Sequence, residues 1–244
     1  MVTILGKFIF LDKATLRSIP INIKLIISSI IFLAIFLLGL SSCSQFGNLP
    51  DGKHLQRIQE SKHFSKEREQ FVNRRPDILD KMRERMKSKS LWVYWFFGDD
   101  NDRSPKEKLP EIVPDIKSFL TISDHIKVIW LGHSTLLINL GGKIILLDPI
   151  FSGAASPVPF VVTRFQPPVI KLKDLPHIDY VVISHDHYDH LDRDTVRYFK
   201  DKKTLFLAPL GVGAHLRGWG INKQKITELD WWENIQLGGI TFTA

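Results

Sequence analysis

A single cysteine, Cys43, occurs in 244 residues, so no intrachain disulfide can form. No internal repeat and no low-complexity tract is present, which excludes a repeat array. No stripe of Lys and Arg interleaved with aromatics is found, and this disfavours nucleic acid as a partner. No helical HExxH pattern occurs, so a zincin-type protease is not indicated. The longest uncharged apolar run, Leu25 to Leu40, falls short of the about 20 residues that a membrane-spanning helix needs.

What is present is enough for a real core. The chain is 44% hydrophobic and holds six tryptophans. Its length allows one large domain or two small ones. The net charge of +7 has two sources. Residues 1–43 carry Lys7, Lys13, Arg17 and Lys24 against Asp12, a balance of +3 that leaves a mild +4 on the remainder. Such an excess suits an anionic membrane surface.

The run 25–40 suits the apolar core of an export signal, whose length is about 7–15 residues. Leu40-Ser41-Ser42-Cys43 follows it and resembles a bacterial lipobox. That resemblance implies cleavage before Cys43 and lipidation of its thiol. It also implies a lipid-anchored protein of the bacterial cell envelope, on the periplasmic face of the outer membrane if the cell is Gram-negative. An uncut signal anchor is the alternative. The expected organisation is a signal and anchor segment over 1–43, a tether and helical, aromatic extension over 44–125, and a main domain over 126–244.

Residues 53–90 are rich in charge with scattered apolar positions and read as surface helix, broken near Pro76 and with a solvated charged face. Residues 91–97 are strongly aromatic and read as an apolar plug against the main domain, or as part of a lipid-facing patch. From Ile126 the texture changes to short β-rich runs at 126–131, 134–140 and 143–147, with Gly141-Gly142 as a tight hairpin signal between the last two. A Pro-rich stretch, 149–168, is too long for a simple connection. Then come a strand at 179–184, a helix to about residue 200, a strand at 204–208, a short helix at 211–217, a strand at 226–230 and a hairpin around Gly238-Gly239.

Between the apolar strand 180–184 and the following helix lies His185-Asp186-His187-Tyr188-Asp189-His190. Imidazoles and carboxylates gathered on such a turn can bind a transition metal. In an extended segment His185 and His187 point to the same side. Asp189 and His190 are expected to open the helix and to aim a second pair at a neighbouring point. One hexapeptide can thus serve two metals, with zinc the best match to nitrogen and carboxylate ligands. Two metals about 3.5–4 Å apart can hold a hydroxide between them, which suits hydrolysis of a phosphoester, amide or lactone. Asp186 and Tyr188 orient the loop or face solvent. Asp148, ending an apolar strand, either accepts hydrogen bonds from ligand histidines or caps a local turn. His133 either approaches the site or is a structural histidine. His54, His63, His125, His177 and His215 have no ligand-like neighbours and read as background.

HDHYDH matches the HxHxDH signature of the metallo-β-lactamase fold superfamily. The segments WLGHSTLLINLGGKIILLDPIFS (130–152), RFQPPVIKLKDLPHIDYVVISHDHYDHLD (164–192) and APLGVGAHLRGWGI with ELDWWE (208–233) resemble the branch that contains N-acylphosphatidylethanolamine-hydrolysing phospholipase D. The resemblance is close over about 126–244, looser over about 71–125, and does not reach the leader. It implies an α/β fold, the four-layer αββα sandwich, of which mainly the N-terminal half is expected here. It implies a di-zinc site, with His185 and His187 on the first zinc and Asp189 and His190 on the second. Asp189 is then both ligand and catalytic residue, and Asp148 and His133 are supporting residues. The implied reaction is phosphodiester cleavage in a phospholipid, with the membrane and the phospholipid as partners and a homodimer as an option. The family needs further ligands after residue 244, so the resemblance implies a partial sequence that binds zinc weakly and turns over negligibly by itself. Two other readings stay open: a lactonase or other phosphodiesterase on the same fold, and a non-catalytic envelope lipoprotein.

Overall fold

The computed structural model describes residues 23, 25–33, 45–87, 104–156 and 162–244. Cys43, the aromatic run 91–97 and most of the leader lie outside the described residues. The chain divides into two units, Met1–Gln45 and Phe46–Ala244. In the first, residues 25–33 are helical. Among the described residues no helix is long and apolar enough to cross a membrane.

In the second unit the expected broken helix of 53–90 is three elements. Helix α1 (Gly52–Glu60) is followed by a small antiparallel pair, β1 (Phe64–Ser65) with β2 (Gln70–Phe71), and then by α2 (Pro76–Lys87). Pro76 starts a helix rather than breaking one. Its missing N–H falls where a helix has no partner for it, and its fixed φ suits the first turn. The Phe64 and Phe71 rings pack edge to face across the pair, 5.4 Å apart. Helix α1 is not simply a solvated face. Ile58 is buried, and Arg57 donates to the backbone carbonyl of Glu228 and pairs with Glu233 at 2.9 Å.

A short helix, α3 (Ile116–Leu120), is capped by Asp115, whose side chain accepts from Ser118 N. The central sheet then follows. It contains β3 (Lys127–Trp130), β4 (Leu136–Leu140), β5 (Lys143–Leu147), β6 (Tyr180–Val182), β7 (Leu205–Pro209) and β8 (Ile226–Leu229), in that spatial order. The first three strands pair antiparallel and the last four pair parallel. Gly141 and Gly142 turn the β4–β5 hairpin, both at positive φ, where a side chain would be strained. Crossover helices α4 (Arg193–Tyr198) and α5 (Gly213–Gly218) cover one face. There Leu137, Leu146, Val181, Phe206, Val196, Phe199 and Leu216 form the larger core. On the other face Ile145, Tyr180 and Leu207 pack against the hairpin β9 (Asn234–Leu237) and β10 (Ile240–Thr243). The layers are thus helix, mixed sheet and hairpin, the mixed α/β arrangement expected.

One boundary differs from expectation in a way that bears on chemistry. Asp189 and His190 do not open the helix. They lie in a turn held by His190 N and Leu191 N, both bonding to the carbonyl of His187 at 2.9 and 2.8 Å. Helix α4 starts at Arg193 because Asp192 caps it, accepting from Asp194 N and Thr195 N.

Candidate metal centre

Strands β5 and β6 run parallel, so their carboxyl ends meet at one edge of the sheet. Asp148 follows β5 there and Ser184 to His190 follow β6. The β3–β4 turn carries His133 to the same edge, because Leu136 at the start of β4 pairs with Leu147 at the end of β5. Ligand sites in open α/β sheets lie at this edge for the same reason: the chain must turn there, and loop side chains converge.

Asp148 is buried and ties the edge together. Its Oδ1 accepts from Ser184 N at 2.7 Å. Its Oδ2 accepts from Ser184 Oγ at 2.6 Å and lies 2.8 Å from His190 Nδ1. Thr135 Oγ1 donates to the Asp148 carbonyl at 2.8 Å. Both Asp148 and His133 sit at positive φ, 40° and 45°, a conformation that costs free energy in a non-glycine residue and that surrounding contacts must hold. With Nδ1 bonded to Asp148, His190 presents Nε2 outward.

The structure brings the sequence-predicted residues into two groups. His185 Nε2 and His187 Nδ1 are 3.2 Å apart. Asp189 Oδ2 lies 3.1 Å from His133 Nε2 and 3.8 Å from His190 Nε2. One ligand atom from each of His133, Asp189 and His190 falls within 4.8 Å of the others, which fits a single ion. The groups adjoin, since the His185 and His190 rings are 3.9 Å apart between centroids. Burial, and then the neighbouring His190 and His187, hold the His185 imidazole below its ordinary pKa. This favours its neutral form, the one that coordinates a metal. The donor set of four imidazoles and a carboxylate, with one histidine oriented by a buried aspartate, fits zinc.

Sequence reasoning missed three residues near the site. Asp192 is one: besides capping α4, it accepts from Phe151 N, Ser152 N and Ser152 Oγ at 3.0, 2.8 and 2.6 Å. The capping signal was legible, but its partners 40 residues upstream were not. Arg164 is the second, and no sequence signal marks it. Its guanidinium donates to the carbonyls of Ile150 and Ser152, and burial lowers its pKa against the opposing pull of Asp192. Replacing Asp192 with Ala removes the cap and strands three loop donors, at a cost of about 2 kcal/mol. Thermal melting of Asp192→Ala is expected to show that loss, and an unchanged Tm would contradict the assigned role. The third is His215, whose Nε2 lies 3.8 Å from Asp186 Oδ2.

A cleft of about 730 Å³ opens beside the second group. Its walls include Leu109, Ile112, Trp130, Ile150, Val162 and Phe165, and His133 and Asp189 line it as well. The Pro-rich stretch supplies one wall, with Arg164, Gln166 and Pro167 among its residues.

Residues 143–244 match the family described as Beta-lactamase superfamily domain. An uncharacterized protein of Mycobacterium tuberculosis is 44% identical over 174 residues, which is 70% of this chain and 45% of that one. N-acyl-phosphatidylethanolamine-hydrolyzing phospholipase D 1 of Caenorhabditis elegans is 40% identical over 114 residues, covering 44% of this chain and 32% of that one. A UPF0173 metal-dependent hydrolase of Bacillus thuringiensis is 31% identical over 117 residues, covering 48% and 45%. The matched portion spans less than half the length of each relative.

Proposed function

Residues 143–244 being a beta-lactamase superfamily domain, we propose that this protein is a zinc-dependent hydrolase that cleaves a phosphodiester of N-acylphosphatidylethanolamine-type phospholipids. His185 and His187 would hold one zinc, and Asp189, His190 and His133 the other. Zinc bound there supplies Lewis acidity and makes water a nucleophile near neutral pH. The chain's own residues do the rest. Asp148 fixes the tautomer of His190 and holds the loop through Ser184. Asp189, half-buried and lining the cleft, would face the reacting group. The apolar walls hold the lipid part of the substrate and exclude water.

The observation that carries this reading is the junction of an apolar cleft with a His/Asp cluster, which suits an amphiphile with an anionic head. The similarity to a relative named for this reaction supports it. The protein from its complete reading frame, loaded with zinc, should hydrolyse N-acylphosphatidylethanolamine in mixed micelles and release phosphatidic acid. It should be much slower on an acyl lactone or a soluble phosphodiester. Preference for either of these would replace the lipid by the other substrate class, and no hydrolysis of any, with zinc bound, would favour a binding role. As part of the same proposal, Cys43 carries a lipid anchor in the cell envelope. A diacylglyceryl-sized mass increment on Cys43, lost in Cys43→Ser together with membrane association, tests it.

A further inference from the structure

Two residues of the hexapeptide are not ligand candidates, Asp186 and Tyr188. Asp186 stands in the irregular chain after β6, and Tyr188 in the turn closed on the His187 carbonyl. Both meet a partner.

The partners come from the segment 46–48 and from helix α5. The Phe46 ring packs edge to face on Tyr188, with centroids 6.1 Å apart. Gly47 presses on His215, so that a Cβ there would sit 2.7 Å from His215 Nδ1. Its φ of +63° further restricts the position to glycine. Asn48 lies against Gly218 just as closely: a Cβ on Gly218 would fall 2.8 Å from the Asn48 amide carbon. His215 stacks on Trp219 and turns Nε2 toward Asp186. Its Nδ1 is buried without a hydrogen-bond partner among the described residues, so a proton on Nε2, facing Asp186, is favoured. The segment is itself held down. It leads into α1, where His54 lies 2.7 Å from Glu228 on β8 and accepts from Arg217 on α5 at 2.7 Å. Glu228 in turn accepts from Gly211 N and Gly213 N.

We propose that residues 46–48 and His215 form a strut behind the hexapeptide. It acts through Tyr188 and Asp186 to aim the side chains of His185, His187 and Asp189. Phe46, Gly47 and His215 are positioning residues. This inference rests on the hexapeptide being the metal loop.

Hydrogen exchange on the metal-free protein tests it, together with zinc affinity measured by competition with a chromophoric chelator. In Phe46→Ala the amides of His190 and Leu191, bonded to the His187 carbonyl, should exchange faster. The core amides of Ile183 and Leu205 should not change. Zinc should bind about tenfold more weakly in Phe46→Ala and in His215→Ala. Phe46→Tyr, which keeps the ring, should restore both. Equal acceleration of loop and core amides would mean general destabilisation and would overturn the strut. So would unchanged loop exchange and zinc affinity in Phe46→Ala. If His215→Ala does not fold, Phe46→Ala decides, because its ring is half exposed. Failure of the unmodified protein to bind zinc would overturn the metal reading and the strut with it. Zinc bound equally by all variants would overturn the strut alone.

Discussion

In the protein from its complete reading frame, His185→Ala combined with His187→Ala should reduce hydrolysis by at least about a thousandfold, because without the Lewis acid water remains a poor nucleophile at neutral pH. The two imidazoles are adjacent, 3.2 Å apart at their nearest nitrogens. The double variant removes both histidines proposed to hold one zinc. The fold should survive. Both side chains are at the edge of the sheet rather than in either core, and β6 keeps its pairing with β5 and β7. Metal analysis should show the zinc content reduced, and the Tm of the metal-free variant should match that of the metal-free parent. Retained turnover on the phospholipid would place the chemistry elsewhere. Treating the unmodified protein with a chelator should abolish activity, and added zinc should restore it.

Asp148→Ala should weaken zinc binding by about 10–100-fold although Asp148 need not touch the metal. Three groups lose their acceptor at once: Ser184 N, Ser184 Oγ and His190 Nδ1. His190 then becomes free to change tautomer and to rotate, and Ser184 no longer fixes where the hexapeptide leaves β6. Asp148 is buried, so removing its carboxylate also lowers stability, by at most about 1–3 kcal/mol for each donor left without an acceptor. Asp148→Asn separates the two effects. It keeps the shape and one acceptor oxygen but offers an N–H where Ser184 or His190 needs an acceptor. Its zinc affinity should lie between parent and Ala, with a smaller drop in Tm. Equal zinc affinity in all three proteins would reduce Asp148 to a turn residue.

The strands from 126 to 147 were legible because alternation and a glycine pair are local signals. The hexapeptide was legible because its donors are consecutive in sequence. The span 53–90 misled, since charge density there concealed the short β1–β2 pair, and Pro76 carries the same letter whether it starts or breaks a helix. His54 and His215 read as background because each meets its partners across a long stretch of chain: Arg217 is 163 residues from His54. Sequence alone leaves Asp148 two roles, and in the structure its carboxylate meets both Ser184 and His190.

The cluster HDHYDH thus announced itself as a candidate metal loop from its own residues and its place after an apolar strand. What it works with was decided by tertiary structure. Parallel pairing of β5 with β6 puts Asp148 under the loop, antiparallel pairing of β4 with β5 brings His133 to Asp189, and the packing of residues 46–48 on α5 brings Phe46 to Tyr188 and His215 to Asp186. Hydrophobic period and turn chemistry act over a few residues and can be read along the chain. The meeting of strand ends depends on which edges pair and in which direction, and that is settled by burial of the two sheet faces together.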